Sequence, residues 1–550
     1  MTINYGQTDH IEIESLDHLG IIMAVCETLD IENLIDKRLP QVRGVSLGKR
    51  VVAMILNGLG FINNRLYMHE KFLCDKPVEA FFGEGVSAKQ FNDDALGRCL
   101  EEIYRYDPTK LFCEIMFEIA QKQKLIGKTI HVDTTTLGVY GDYDQKEGDK
   151  TPAPNYGYSK NNRFDLKQMT LGLATTGASG LPIFMESHSG NASDKKTLLT
   201  MSERIKSYCK NLIDADNLVI VADSALYDSC INHNPAFKWL TRVPNTHKKA
   251  KEWIQTASSE LEWQPLENGY SFVSKQVNQK SIGQRWAMIY SPQAYEKEVE
   301  TLGRTIKKEY EKVKAELWHL GNTKFQCEYD AKKALKQIAK KVKYHKIEDS
   351  IKPVHGYEKA GKPSINNPPI VKYYRVGSTL LLDEDKVDQA RRTKGRFILA
   401  TNELDTAKLP DRSLLSVYKE QGKTERGFQF IKDNTFQVDS IFLKKPERIC
   451  GLMMVMTLCL VVYSFAQHCI REKLMQNNET VLNQVKKPTQ KPTMRWISHV
   501  LQGIDVVKIS TPDSQINTVS KLSAEQRRII SYFGPHAQAL YGLHPQKTTR

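Results

Sequence analysis

Apolar residues recur at three- and four-residue intervals through the first part of the chain. LGKRVVAMILNGLGFI (47–62) is one such run, and FNDDALGRCLEEIYRYD (91–107) sets Asn and Asp as caps ahead of another. Residues 1–122 are therefore expected to be helical. They read either as a helix–turn–helix between 45 and 105 or as a bundle making protein contacts. From residue 123 the period shortens. KTIHVDTTTLGVYG, DLKQMTLGLATTG and GLPIFMESHSG are three β-rich runs divided by turn-forming residues. SDKKTLLTMSERIKSYCKNL then reads as a helix beginning at Ser193 or Asp194, and NLVIVADSALYD as a short, nearly all-apolar strand. The order βββαβ predicts an α/β fold whose mixed sheet has helices on both faces.

Residues 231–390 interrupt that pattern. They hold a β-like stretch, GYSFVSKQVNQKSIGQRWAMIYSPQ, and then a charged helical region from about 295 to 346, with seven lysines in 332–346. Such a run reads as a solvated helix face or as a track for a DNA backbone. KPSINNPP (362–369) has the composition of a loop. Strand character returns at GRFILATNELD (395–405), followed by a helix, DRSLLSVYKEQGKTERGFQFIKD, and by the apolar GLMMVMTLCLVVYSFAQHCI (451–470). The last is about long enough to cross a bilayer. It carries Gln467, His468 and internal Ser and Thr, and has no partner span, so a buried core helix is expected and no membrane partner. Residues 391–475 should thus complete the sheet domain begun at 123–230 around an insertion (231–390), leaving a basic C-terminal region at 476–550.

Length and charge sharpen this. At 550 residues the chain exceeds what one core sustains. With 78 Lys+Arg against 64 Asp+Glu, the net charge of +14 favours a polyanionic partner, nucleic acid ahead of anionic membrane. A composition of 40% hydrophobic and 26% charged residues excludes fibrous and disordered classes. None of the ten cysteines forms a C-x-x-C pair, so they read as reduced, mostly buried thiols. The N-terminus lacks a signal pattern, and a cytoplasmic protein is expected.

The chemistry centres on acids. Asp133, in TIHVDTT, runs against the composition of strand interiors, and Asp223 ends the apolar run VIVADSA. Carboxylates at adjacent strand ends can converge, and burying two together costs several kcal/mol without a cation. Oxygen-only ligands select Mg²⁺ or Mn²⁺. Either aspartate, taken alone, also fits a turn cap. In YKEQGKTERGFQFIK, helical spacing from Tyr418 puts Gln421, Glu425 and Lys432 at about 300°, 340° and 320°, with Glu420 opposite at about 200°. That favours Glu425 over Glu420 as a third acid. Gly422 and Gly427 cost a helix roughly 1 kcal/mol each, and allow a close approach or a bend.

Asp133, Asp223 and Glu425 resemble the DDE triad of insertion-sequence transposases with an RNase H-like core. The helix is similar to the branch signature Y-x2-R-x3-E-x6-K, here Tyr418, Gln421, Glu425 and Lys432. GYSKNNRFDLKQ (157–168) resembles a segment these enzymes carry between their first two strands. LDHLGIIMAVCETLDIENLID, LNGLGFINNRLY and FNDDALGRCLEEIY resemble the domain that opens one group of them. The likeness runs from about residue 15 to 540, and departs where Gln421 replaces the signature arginine, which loses a charge-assisted phosphate contact.

The resemblance implies in-line phosphoryl transfer with two metal ions about 3.5–4 Å apart. Asp133 would bridge them, with Asp223 and Glu425 holding one each. It implies hydrolysis at double-stranded element ends, strand transfer into target DNA, and a homodimer that joins two ends. Tyr418 and Lys432, with Lys160, Arg163 and Lys167, would position the backbone, and Trp286 in the insertion would stack on an unpaired base. Competing readings are an RNase H-like nuclease that cuts without joining and an inactive DNA-binding relic. A tyrosine recombinase using Tyr418 would need clustered arginines, which are absent.

Overall fold

A computed structural model describes residues 10–61, 68–123, 125, 127–143, 151–158, 163–177, 179–209, 218–357, 368–432, 443–511 and 514–543. The chain forms two compact units, one of residues 1–241 with 416–550 and the other of residues 242–415.

The first unit contains the expected βββαβ element. Its first core strand, Thr129–Val139, pairs antiparallel with Lys167–Thr176, which pairs antiparallel with Pro182–Ser189. The helix Asp194–Cys209 crosses over to the fourth strand, Val219–Ala222, which runs parallel to the first and to the fifth, Lys238–Arg242. The resulting order, third–second–first–fourth–fifth, is an RNase H-like mixed sheet. Helix Asp194–Cys209 packs on the face that carries Thr134 and Gly172, where a Cβ on Gly172 would strike the Met201 sulfur at 2.3 Å. The opposite face, carrying His131, Asp133 and Leu137, is covered by the helix Gly422–Ile431.

Residues 10–123 are mainly helical, as the periodicity requires. Ser46 accepts from the Lys49 N–H to start helix Leu47–Leu59, and Asn92 accepts from Ala95 N–H to start Asp93–Tyr106. These helices lie in the first unit. They share one hydrophobic core with the sheet because the long apolar helix, Pro446–Gln476, packs against Leu47–Leu59, Asp93–Tyr106, Pro108–Gln123 and the third strand. In its most apolar 18-residue window 83% is buried inside the protein, which accounts for its composition without a membrane. The strand His10–Ser15 joins Asp505–Thr511 and Ser514–Val519 in a separate three-stranded sheet, tying the N-terminal region to the C-terminal one.

The second unit spans residues 242–415. In it the strand Arg396–Thr401 pairs antiparallel with Ile282–Tyr290. The β-like stretch is a hairpin, Ser271–Gln279 with Ile282–Tyr290, turning at Lys280 and Ser281, both at positive φ as a two-residue hairpin turn demands. The charged region forms the helices Pro292–Asn322 and Glu328–Ala339. A ribbon, His345–Gly356 with Ile370–Leu382, went unread because its alternation is largely polar and exposed. Most of the loop expected at 362–369 lies outside the described residues. Six of the nine described cysteines are buried, and all nine are free thiols.

Two outcomes follow from the core. A Cβ on Gly451 would lie 2.6 Å from the Leu100 carbonyl oxygen, which is backbone and cannot swing aside. Gly451→Ala is expected to lose about 1–3 kcal/mol of stability in urea unfolding, the usual cost of overpacking. His69 is fully buried, and burial pushes its pKa down to about 3. The unfolded chain takes up that proton near the ordinary value of 6.5, so stability is present above 6.5 and lost as pH falls toward 3. His69→Gln should flatten the fall in unfolding midpoint between about pH 6.5 and 5 by up to about 1.4 kcal/mol per pH unit.

Candidate active site

The parallel pairing of the first and fourth strands aligns Thr129 with Val219, Ile130 with Ile220 and His131 with Val221, a constant offset of 90 residues. Asp133 and Asp223 keep that offset. The paired register ends at His131 and Val221; Asp133 lies two residues further along its strand, and Asp223 is the first residue past Ala222, where the fourth strand ends.

Both acids are half-buried. The Asp133 Oδ1 accepts from the Thr134 N–H at 2.7 Å. Asp223 Oδ1 accepts from the Ala225 N–H at 2.9 Å, and its carbonyl accepts from the buried Thr241 hydroxyl at 2.5 Å. Asp223 therefore does cap the turn into helix Ala225–His233, and its second oxygen is left over from that duty. Turn cap and site residue are compatible roles here.

The third acid is where sequence geometry and structure diverge. The expected single helix from 411 is broken in two, Leu414–Lys419 and Gly422–Ile431. At the break the i→i−4 ladder gives way to i→i−3 bonds, Gln421 N–H to the Tyr418 carbonyl (3.1 Å) and Lys423 N–H to the Glu420 carbonyl (2.8 Å). The rotation assumed for Tyr418, Gln421, Glu425 and Lys432 therefore fails across residues 420–421. Glu420, set aside as facing away, instead reaches the sheet, with Oε2 3.6 Å from His131 Nε2 and Oε1 3.7 Å from Lys423 Nζ. His131 lies on the Asp133 face, two residues earlier. It is fully buried, and burial, with Lys423 adding to it, pushes its pKa down to about 4, so the ring is neutral at ordinary pH.

Helix Gly422–Ile431 is anchored where buried Thr424 and Thr175 share a hydrogen bond of 2.6 Å; Thr175 pairs with His131. Glu425 is the next residue and is exposed. Among the described residues, no three His, Cys, Asp or Glu side chains gather closely enough to enclose a metal ion. Asp133 and Asp223 thus lie just beyond the paired part of neighbouring strands, and Glu425 does not join them in a three-residue group among the described residues.

The remaining expected residues scatter. Gln421 is buried, and its Oε1 has no hydrogen-bond partner among the described residues. Tyr418 and Lys432 are half-buried. Arg163 is spent on a two-point ion pair with Asp165, 2.8 Å for each bond, and Lys167 donates to the Tyr143 carbonyl at 2.9 Å. Lys160 lies outside the described residues. Trp286, expected to stack on a base, is a core residue: fully buried, its indole N–H donates to Gln284 at 2.8 Å and its ring neighbours Trp253.

The sheet order defines an RNase H-like α/β protein with Asp133 and Asp223 near the ends of neighbouring strands. Residues 127–462, more than half the chain, match the family described as Transposase DDE domain, and the chain belongs to that family. Residues 11–117 match a domain of unknown function (DUF4277). No curated protein matches the chain. Among solved structures it is similar to the piggyBac transposase synaptic complex with hairpin DNA, at 10% identity and a TM-score of 0.35, over 97% of this chain and 85% of that one. It is also similar to the Mos1 transposase paired-end complex with left transposon end, at 14% identity and a TM-score of 0.14, over 28% of this chain and 52% of that one. At those scores neither likeness bears on the details of this site.

The double duty of Asp223 can be separated. Asp223→Asn keeps an oxygen acceptor for Ala225 and should leave the unfolding midpoint close to the parent's. Asp223→Ala removes it and should cost about 1 kcal/mol, the usual loss of a cap.

Proposed function

We propose that this transposase cleaves the DNA ends of an insertion sequence and transfers them into target DNA, with Asp133, Asp223 and Glu425 as its acids. The observation that carries this reading is that Asp133 and Asp223 each lie two residues beyond the paired residues His131 and Val221 on neighbouring strands, in a chain of the DDE family. Two carboxylates brought together repel each other, and their hard oxygen donors suit Mg²⁺ or Mn²⁺. Bound there, such an ion would lower the pKa of a water or of a DNA 3′-hydroxyl and stabilise the leaving oxygen.

The chain's own residues supply the rest. Thr134 N–H and Ala225 N–H each hold one oxygen of their aspartate. Neutral His131 adds no charge beneath Asp133. Glu425 has to come in from the helix surface to complete a three-acid set. Tyr418 and Lys432 are proposed to meet the DNA backbone, and Gln421 to act from within, where its orphaned oxygen would accept a bond. The reading includes double-stranded DNA as substrate, a homodimer that pairs two ends, and a cytoplasmic location.

A second reading has its own observation. Glu420 stands 3.6 Å from His131, one step along the strand from Asp133, and is a rival for the third acid. A metal-dependent nuclease that cuts without joining is the alternative activity.

The test is cleavage and joining of labelled DNA carrying the ends that flank the protein's own gene, with Mg²⁺ or Mn²⁺. Asp133→Asn and Glu425→Gln should each reduce cleavage on the order of 100-fold or more, the scale for removing one charge-stabilising group, while Glu420→Gln should not. The reverse result for the two glutamates would move the third role to Glu420. Cleavage without joined product would establish the nuclease, and activity surviving Asp133→Asn would sink both readings.

A further inference from the structure

Besides Asp133 and Asp223, the first unit holds a half-open cavity of about 490 Å³. It lies between the helix Gly422–Ile431, the second half of the long apolar helix and the start of helix Met494–Val500. Its walls include four cations, Lys423, Arg426, Arg471 and Arg495, and no Asp or Glu among the described residues lines it. Three aromatic rings share the space: Phe430 and Tyr463, centroids 4.3 Å apart, and Phe61, over which Arg495 sits at 5.8 Å. Gly427 suits this geometry, because a Cβ there would lie 3.0 Å from the Leu460 side chain, which would have to shift.

Two acids stand just outside and pair with lining residues other than the arginines. Glu420 lies 3.7 Å from Lys423, and Glu472 lies 3.4 Å from His468. Arg471 donates through Nε to the Pro492 carbonyl at 2.9 Å. Burial lowers its pKa, and the charge of Arg426 adds to the effect. Two guanidinium groups that repel each other in a partly enclosed space, with no carboxylate on the walls, are unfavourable until an anion arrives. A bare anion would leave the rings without a purpose. A cationic groove with aromatic faces is the combination that holds single nucleotides, the cations taking phosphate and the rings taking the base. The volume falls in the range of small-ligand sites.

We propose that this cavity binds a nucleotide, its phosphate between Arg426 and Arg471 and its base against Phe430 and Tyr463. The nucleotide can come from an unpaired stretch of a DNA strand or from a free mononucleotide. The strand source rests on the proposed DNA activity; the pocket chemistry does not.

The test uses the full chain and fluorescence anisotropy with a labelled single strand of about ten nucleotides. A blunt duplex, the same strand with abasic sites, a deoxynucleoside monophosphate and inorganic phosphate serve as comparisons. Arg426 is exposed, so Arg426→Gln tests the pocket without disturbing a buried contact; Arg471→Gln is the second variant, each checked by thermal melting. Each substitution should weaken single-strand binding at least about ten-fold and make its salt dependence shallower by about 0.7 in log–log slope. Duplex binding should change much less, and the abasic strand should bind more weakly than the intact one. Competition by the mononucleotide would identify the free source, and its failure the strand. Unchanged affinity in Arg426→Gln, an equal loss for duplex, or displacement by inorganic phosphate as well as by nucleotide would overturn the proposal. A protein that binds single strands through these arginines yet cuts no DNA end keeps the pocket and loses the cleavage reading; one that cuts DNA and ignores both substitutions does the opposite.

Discussion

Seventeen residues of the helix Pro446–Gln476 are buried, from Ile449 to Leu474. Full burial of each large apolar side chain among them contributes on the order of 1.5–3 kcal/mol. The N-terminal helices pack on this helix from one side. The third core strand and the acid-bearing helix Gly422–Ile431 pack on it from others. Glycines allow close approaches to it, among them Gly451 against the Leu100 backbone and Gly427 against Leu460. The position of Glu425 and Arg426 relative to the sheet is therefore set by how closely Gly427 lets its helix approach the apolar one.

That dependence explains the division of labour on the short helix. One face, with Thr424, Phe428 and Ile431, is buried, and Thr424 bonds to Thr175 on the second core strand. Glu425 and Arg426 are left exposed beside it. Lys423 takes part in both regions: its Nζ donates to the Gly177 carbonyl and lies near Glu420, and it also lines the cavity. The proposed third acid and the cationic cavity thus share a ten-residue helix, with opposite charges presented by neighbouring residues.

The electrostatics of Asp133 depend on what surrounds it. Asp133 interrupts a strand whose neighbours Val132 and Thr134 are buried, yet it stays half-exposed. His131 is kept neutral by burial, so the nearest potential cation on the same strand face does not offset the two carboxylates.

Much of this was legible in the chain. Period-two runs marked the first three strands, the all-apolar VIVA marked the fourth, and the acids at Asp133 and Asp223 were visible as breaches of strand composition. Those signals are local: a strand interior that tolerates Asp at one position shows it in a window of a few residues. The apolar helix read as buried for the same reason, through its internal polar residues. Four things were decided only in three dimensions. The N-terminal helices joined the core because one long helix serves both. Arg396–Thr401 paired with Ile282–Tyr290, a partner more than a hundred residues away. Trp286 went inside, since burial of a ring depends on what packs over the strand. Glu420 rather than Glu425 turned toward His131, because the helix broke at Gln421 and a change from i→i−4 to i→i−3 bonding resets the rotation of everything beyond it. Local periodicity determines elements and their buried faces; the rotation across a break, and the partners of a strand, depend on contacts that no short window contains.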